Sequence, residues 1–188
     1  MIKLHSILIA IAILVSSCSN NDTQKAGNPS KDSSASITKK EKSPVINGAY
    51  TMEGDSVTIL PFEIDLSLSP KAAAKINHDK ETIIVSVYFN GTPKKNSNAV
   101  LQEDGSFFVA SAEKEITYGQ PVIFDAIKFS KEIYEQLEDK DVDMTVNVYS
   151  GRKSSQYNLL DCELLSDKIS SIVNKKFTIK GKLIYGDD

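Results

Sequence analysis

The sequence contains no tryptophan, only two cysteines and two histidines, and a single arginine, Arg152, among its 22 basic residues. Each scarcity excludes some chemistry. Two cysteines and two histidines would just fill a structural zinc site, but His5 and Cys18 fall in the leader and the cysteine motif at its end, read below, and Cys162 and His78 alone are too few. Beyond His5 the one histidine is His78, in the polar stretch Asn77-His78-Asp79-Lys80. An exposed histidine without a rigid neighbour does not make the held base that a Ser/His/Asp or Cys/His nucleophile requires. The glycines are scattered singly, so no phosphate-cradling loop is present. The net charge of −3 opposes a nucleic-acid binder, which must neutralise phosphates. Lack of tryptophan removes a common stacking platform for sugars. It lowers a carbohydrate-binding reading and a carboxylate-dependent hydrolase alike without removing either, since paired carboxylates meet in space rather than in sequence. Asp139, Asp141 and Asp143 alternate as at the opening of a calcium loop, but Met144 and Ser150 stand where Gly and Glu are needed. No cofactor and no metal are implied.

What is present begins with an address. Lys3 leads into an apolar run from Ile7 to Val15, followed by Ser16, Ser17 and Cys18, the order of a secretory signal peptide. The run is well short of the roughly 20 residues that span a bilayer. Val15-Ser16-Ser17-Cys18 resembles the lipobox of bacterial lipoproteins. That resemblance implies a diacylated Cys18 thiol, cleavage before Cys18 and acylation of the new amine, so that the protein's first partner is a membrane, through lipid. Ser19 stands where an aspartate would, by resemblance to the enterobacterial sorting rule, hold a lipoprotein in the inner membrane. An outer-membrane location is expected, with the periplasmic side and the cell surface both open.

Residues 1–17 are therefore read as leader, 18–44 as lipidated cysteine and tether, and 45–188 as one domain. Between Ser19 and Pro44 only Ala26, Ala35 and Ile37 are apolar, too little to offset the entropy of ordering. A flexible coil of this length reaches about 28 Å. With Cys18 committed to lipid, Cys162 is alone, and its place in the alternation Leu160-Asp161-Cys162-Glu163-Leu164 predicts a core thiol.

The domain reads as mainly β. Phe62 to Leu68 alternates apolar and polar residues. Ser69-Pro70 caps a short helix beginning Lys71-Ala72-Ala73-Ala74. Glu81 to Phe89 predicts a central strand covered on both faces, ended by Asn90-Gly91-Thr92-Pro93. Asp104-Gly105 predicts a hairpin between Ala99-Val100-Leu101 and Ser106 to Ala110. Further strands are expected over Val122 to Phe129, Val142 to Val148 and Tyr157 to Leu165, with a second short helix after Ser130 and an ambiguous helical pattern over Ser166 to Val173. Phe177 to Leu183 reads as an edge strand whose lysines resist pairing. The spacing favours an antiparallel β-sandwich of immunoglobulin-like or transthyretin-like type with one or two short helices.

Phe62 to Phe89, a strand, a short helix and a β-branched strand, resembles the first half of the sandwich lipoproteins of type VI secretion membrane complexes. It implies an accessory subunit of an envelope machine as one alternative. The main reading is a non-enzymatic binding or scaffolding module with an envelope protein or glycan as partner. Asp55-Ser56-Val57 resembles the O-glycosylation acceptor pattern of exported Bacteroidota proteins, with Ser56 as acceptor. Contact candidates are Arg152, whose planar fork lysine cannot imitate, and Asn90 and Lys94 in the turn after Tyr88.

Overall fold

The computed structural model describes residues 43–186. The stretches read above as leader, lipidated Cys18 and tether lie, up to residue 42, outside the described residues. Strand β1 (Val45–Ile46) opens the domain. It is followed by β2 (Tyr50–Glu53) and β3 (Ser56–Ile59), a hairpin turned at Gly54-Asp55 and additional to those expected from sequence. Gly54 supplies the turn with a φ of 60°, a region glycine enters at no steric cost.

Strand β4 (Phe62–Leu68) runs into α1 (Pro70–His78). The Ser69 hydroxyl accepts the Ala72 N–H at 3.1 Å, and Pro70 occupies the first turn, where its missing donor costs nothing. Beyond the helix, Lys80 takes a left-handed φ of 52°, its N–H donating to Asn77 O and that of Glu81 to Ile76 O. These are the two bonds of a Schellman stop. Strand β5 (Ile83–Gly91) then pairs with both β6 (Phe107–Ile116) and β9 (Asp143–Ser150).

Three four-stranded sheets result, ordered β1-β2-β3-β8, β10-β12-β4-β7 and β11-β9-β5-β6. The stretch 122–129 is not one strand but two in different sheets, β7 (Val122–Phe124) beside β4 and β8 (Lys128–Ser130) beside β3. Ser130 caps α2 (Lys131–Gln136), accepting from Ile133 N–H. The stretch 157–165 likewise divides, β10 (Leu160–Cys162) joining β12 and β11 (Leu165–Lys168) joining β9, before the single turn α3 (Ile169–Ile172). Among the described residues the helices number three rather than one or two. Ala99-Val100-Leu101 forms no strand; the predicted turn does close, Gly105 N–H bonding Gln102 O at 2.9 Å.

Strand β12 (Lys176–Leu183) corrects two expectations at once. It is internal to its sheet, and it runs parallel to β4, so the pairing is not wholly antiparallel. Two of its lysines face acids on neighbouring strands: Lys176 Nζ lies 2.8 Å from both Glu63 and Asp65, and Lys182 Nζ 4.0 Å from Asp161. In the sheet ordered β11-β9-β5-β6 the edge strand β6 carries such a lysine: Lys114 donates to Ile123 O and stands 5.6 Å above the Phe124 ring.

Ile64 and Ile179 of one sheet and Val85, Val87, Phe89, Val146 and Val148 of another belong to one buried cluster. Phe62 meets Phe89 edge-on at 6.3 Å. Burial of a side chain such as Phe89 contributes about 2 kcal/mol. The other face of β5 is more open: Ser86 is buried, but Ile84 is half-buried and Tyr88 is 41% exposed, so this face is only partly covered.

Candidate functional site

The Schellman stop of α1 delivers Glu81 into the interior, where it is 1% exposed. A buried carboxylate must be paired or saturated with hydrogen bonds, and Glu81 is saturated from the loop that follows β9. Its Oε1 accepts the N–H of Thr82 at 3.0 Å and of Lys153 at 2.9 Å. Its Oε2 accepts the Ser154 N–H at 2.7 Å and the Ser154 hydroxyl at 2.6 Å. Burial alone would raise the Glu81 pKa, but these bonds favour the charged form strongly enough to hold it below the usual glutamate value.

Further bonds fix the loop at both ends. Gly151 N–H donates to Thr82 O at 2.7 Å, and a Cβ at Gly151 would run into the Thr82 hydroxyl, so this close approach requires glycine. Asn158 Oδ1 accepts from Ser150 N–H at 2.9 Å and from Leu160 N–H at 3.1 Å, while Ser150 Oγ accepts Leu159 N–H. The segment is a crossover between two sheets.

Arg152 sits at the crest of this loop, exposed, with a left-handed φ of 60°. A non-glycine residue adopts that conformation at a cost of about 1 kcal/mol or more, which the surrounding bonds must impose. Among the described residues Arg152 has no ion-pair partner, whereas its neighbour Lys153 pairs with Glu115 at 3.1 Å.

The loop overhangs the open face of the β11-β9-β5-β6 sheet. Cross-strand register sets Ile84 beside Tyr149 and Glu115, Ser86 beside Asn147 and Glu113, and Tyr88 beside Thr145 and Ser111. Tyr149 OH donates to Glu113 Oε2 at 2.9 Å, and the Ser86 hydroxyl donates to the same oxygen at 2.7 Å. Tyr149's pKa is drawn down by Ser86, yet burial and the Glu113 carboxylate outweigh this and leave it above the ordinary tyrosine value. Glu115 is held below the usual range by Thr82 and Lys153. Arg152, Tyr88, Tyr149 and Asn147 border a cleft of about 470 Å³ on this face.

The other sequence candidates lie elsewhere. Ile83 of β5 pairs with Ser150 and Asn90 with Asp143, so Arg152 and Asn90 occupy opposite ends of the strand pair. Asn90 is not in an exposed turn: it belongs to β5 at a bulge, is half-buried, and its Oδ1 is buried without a hydrogen-bond partner. Lys94 is exposed and borders a separate hollow of about 690 Å³ with Asp55, Ser97 and the charged side chains of α2. Ser56 opens β3, half-buried, opposite Ser130. Cys162 is a free thiol, half-buried, its pKa pushed up to about 11 by burial and by Asp161 and Glu163. His78 ends α1, its ring nitrogen 2.8 Å from Asp79. The aspartates of the would-be calcium loop are otherwise engaged: Asp139 with Asp141 N–H, Asp141 with Ser170, Asp143 with Lys168. Among the described residues no group of three or more acids, histidines or cysteines could hold a metal ion, and no helix is long and apolar enough to cross a membrane.

Glu81, Tyr149 and Glu113 are not among the residues singled out from sequence. A glutamate directly after a helix stop and before a β-branched run was the one available signal for Glu81. No family model, no curated protein and no solved structure matches the chain.

Proposed function

We propose that the chain is a lipid-anchored protein of the outer membrane whose β domain, a sandwich of immunoglobulin-like or transthyretin-like type, acts without catalysis by binding an envelope partner through the Arg152 loop and the adjoining sheet face. The observation that carries this reading is Arg152 itself: a guanidinium with no ion-pair partner among the described residues, on a backbone held in a costly conformation by a buried carboxylate. A merely solvated loop needs no such clamp.

Placement supports the same reading. The sheet that contains Val45 meets the start of β9, where Tyr50 OH donates to Lys140 O at 2.6 Å. Arg152 follows the far end of that eight-residue strand, about 23 Å of chain away. The point where a tether would join, at Val45, therefore lies toward the opposite end of β9 from the Arg152 loop. Arginine and tyrosine are also the residues that most often dominate binding energy. Co-purification of wild type and Arg152→Ala from the same membranes tests the proposal.

A further inference from the structure

We propose that the cleft beside Arg152 takes a carboxylated saccharide, the guanidinium receiving the sugar's carboxylate while Asn147 and Glu113 receive its hydroxyls. This rests on the binding-module reading and names its ligand class.

Three observations converge. The first is charge. Each carboxylate around the cleft already has partners: Glu81 holds the loop, Glu115 binds Lys153 and the Thr82 hydroxyl, and Glu113 holds Tyr149 and Ser86. Of the two cations beside the cleft, Lys153 is taken by Glu115 and Arg152 is the one without an ion-pair partner among the described residues, its fork fit for a carboxylate with two parallel bonds. The second is the lining. Ile84 is the only aliphatic side chain there; the remainder is tyrosine, asparagine, serine, glycine and arginine. Such a cleft lacks the apolar hole that anchors a protein side chain, while its volume suits a small polar ligand. The third is unfilled hydrogen-bonding capacity. Both hydroxyls bonded to Glu113 use Oε2, leaving Oε1 to accept from a ligand, and Asn147 is exposed. A ligand offering one carboxylate and several hydroxyls answers all of these, as a uronic acid does. The rings of Tyr149, fixed through its hydroxyl, and of Tyr88 offer apolar surface to the sugar's C–H face in place of the missing tryptophan.

The test titrates the detergent-solubilised full-length protein with trisaccharides of galacturonate, glucuronate and mannuronate, with their carboxyl-reduced counterparts, and with triglutamate. At least one uronate is expected to bind, and carboxyl reduction to weaken it by about tenfold or more. Arg152→Gln should weaken it equally, and Arg152→Lys, which keeps charge but not the fork, should not restore it. No binding of any uronate, equal binding of the reduced sugars, equal binding by Arg152→Gln, or equally tight triglutamate would each overturn the saccharide. Failure here beside an Arg152-dependent protein partner in co-purification would leave the broader binding function standing.

Discussion

The Glu81 carboxylate takes both the backbone N–H and the hydroxyl of Ser154, at 2.7 and 2.6 Å, across 73 residues of sequence. One buried side chain thereby fixes the loop that displays Arg152, tying the end of α1 to the crossover between two sheets. Stability and site geometry depend on the same contact.

Glu81→Gln keeps the shape but replaces one accepting oxygen with a donor that faces the N–H groups it should bind. The expected loss is about 2 to 3 kcal/mol, the scale for a buried charged hydrogen-bonding group left mismatched. Denaturant unfolding measures this, and amide exchange should quicken at Lys153 and Ser154 more than at Val85 or Val146. Unchanged exchange at those two amides would show that Glu81 does not hold the loop.

Because Glu81 is held below its ordinary pKa, the unfolded chain binds its proton more readily than the folded one. Its contribution is therefore fully present above the unfolded value of about 4.3 and is lost as pH falls through the lower folded value. The stability gap between wild type and Glu81→Gln should be level between about pH 6 and about pH 8, nearly as wide at about pH 5, and narrower at each step below about pH 4. A gap that widened in acid would contradict a carboxyl pKa lowered by folding.

Gly181→Ala should destabilise the domain by about 1 to 3 kcal/mol, the cost of overpacking. A Cβ there would stand 2.5 Å from Cys162 Sγ and 2.8 Å from Leu68 Cδ2. Adding Cys162→Ala should recover part of the loss, read as a rise in melting temperature of the double variant over Gly181→Ala. No recovery would mean that the thiol does not crowd this position.

Local features were legible in the sequence. Ser69-Pro70 and Ser130 cap helices because capping is settled within three or four residues, and the alternation of Phe62 to Leu68 and Val142 to Val148 follows from one buried face. Features set by distant pairing were not. Lys180 and Lys182 read as guards of an edge because the strand that covers β12 on one side, β4, lies more than a hundred residues earlier and happens to run parallel. The stretches 122–129 and 157–165 keep an apolar pattern throughout, yet each changes sheet midway. Arg152 stood out as the lone arginine, but the clamp of its loop on Glu81 joins two segments that no local pattern connects.

Cys18→Ala should release the protein from membranes. The three acyl chains proposed for Cys18 would bury far more methylene than the single chain that binds only marginally, so wild type should stay bound through high-salt washing. Fractionation together with intact mass reads both the anchor and its loss; unchanged partitioning and unchanged mass would rule out the lipid anchor.

Arg152→Ala, compared with wild type by quantitative co-purification from the same membranes, tests the binding function most directly. The exposed side chain makes no ion pair among the described residues, so folding should persist, with an unfolding midpoint close to that of wild type. Partner or glycan recovery should fall by about tenfold, equivalent to about 1.4 kcal/mol. Equal recovery of every bound component by the two proteins would contradict the assignment of Arg152 and of the face beside it.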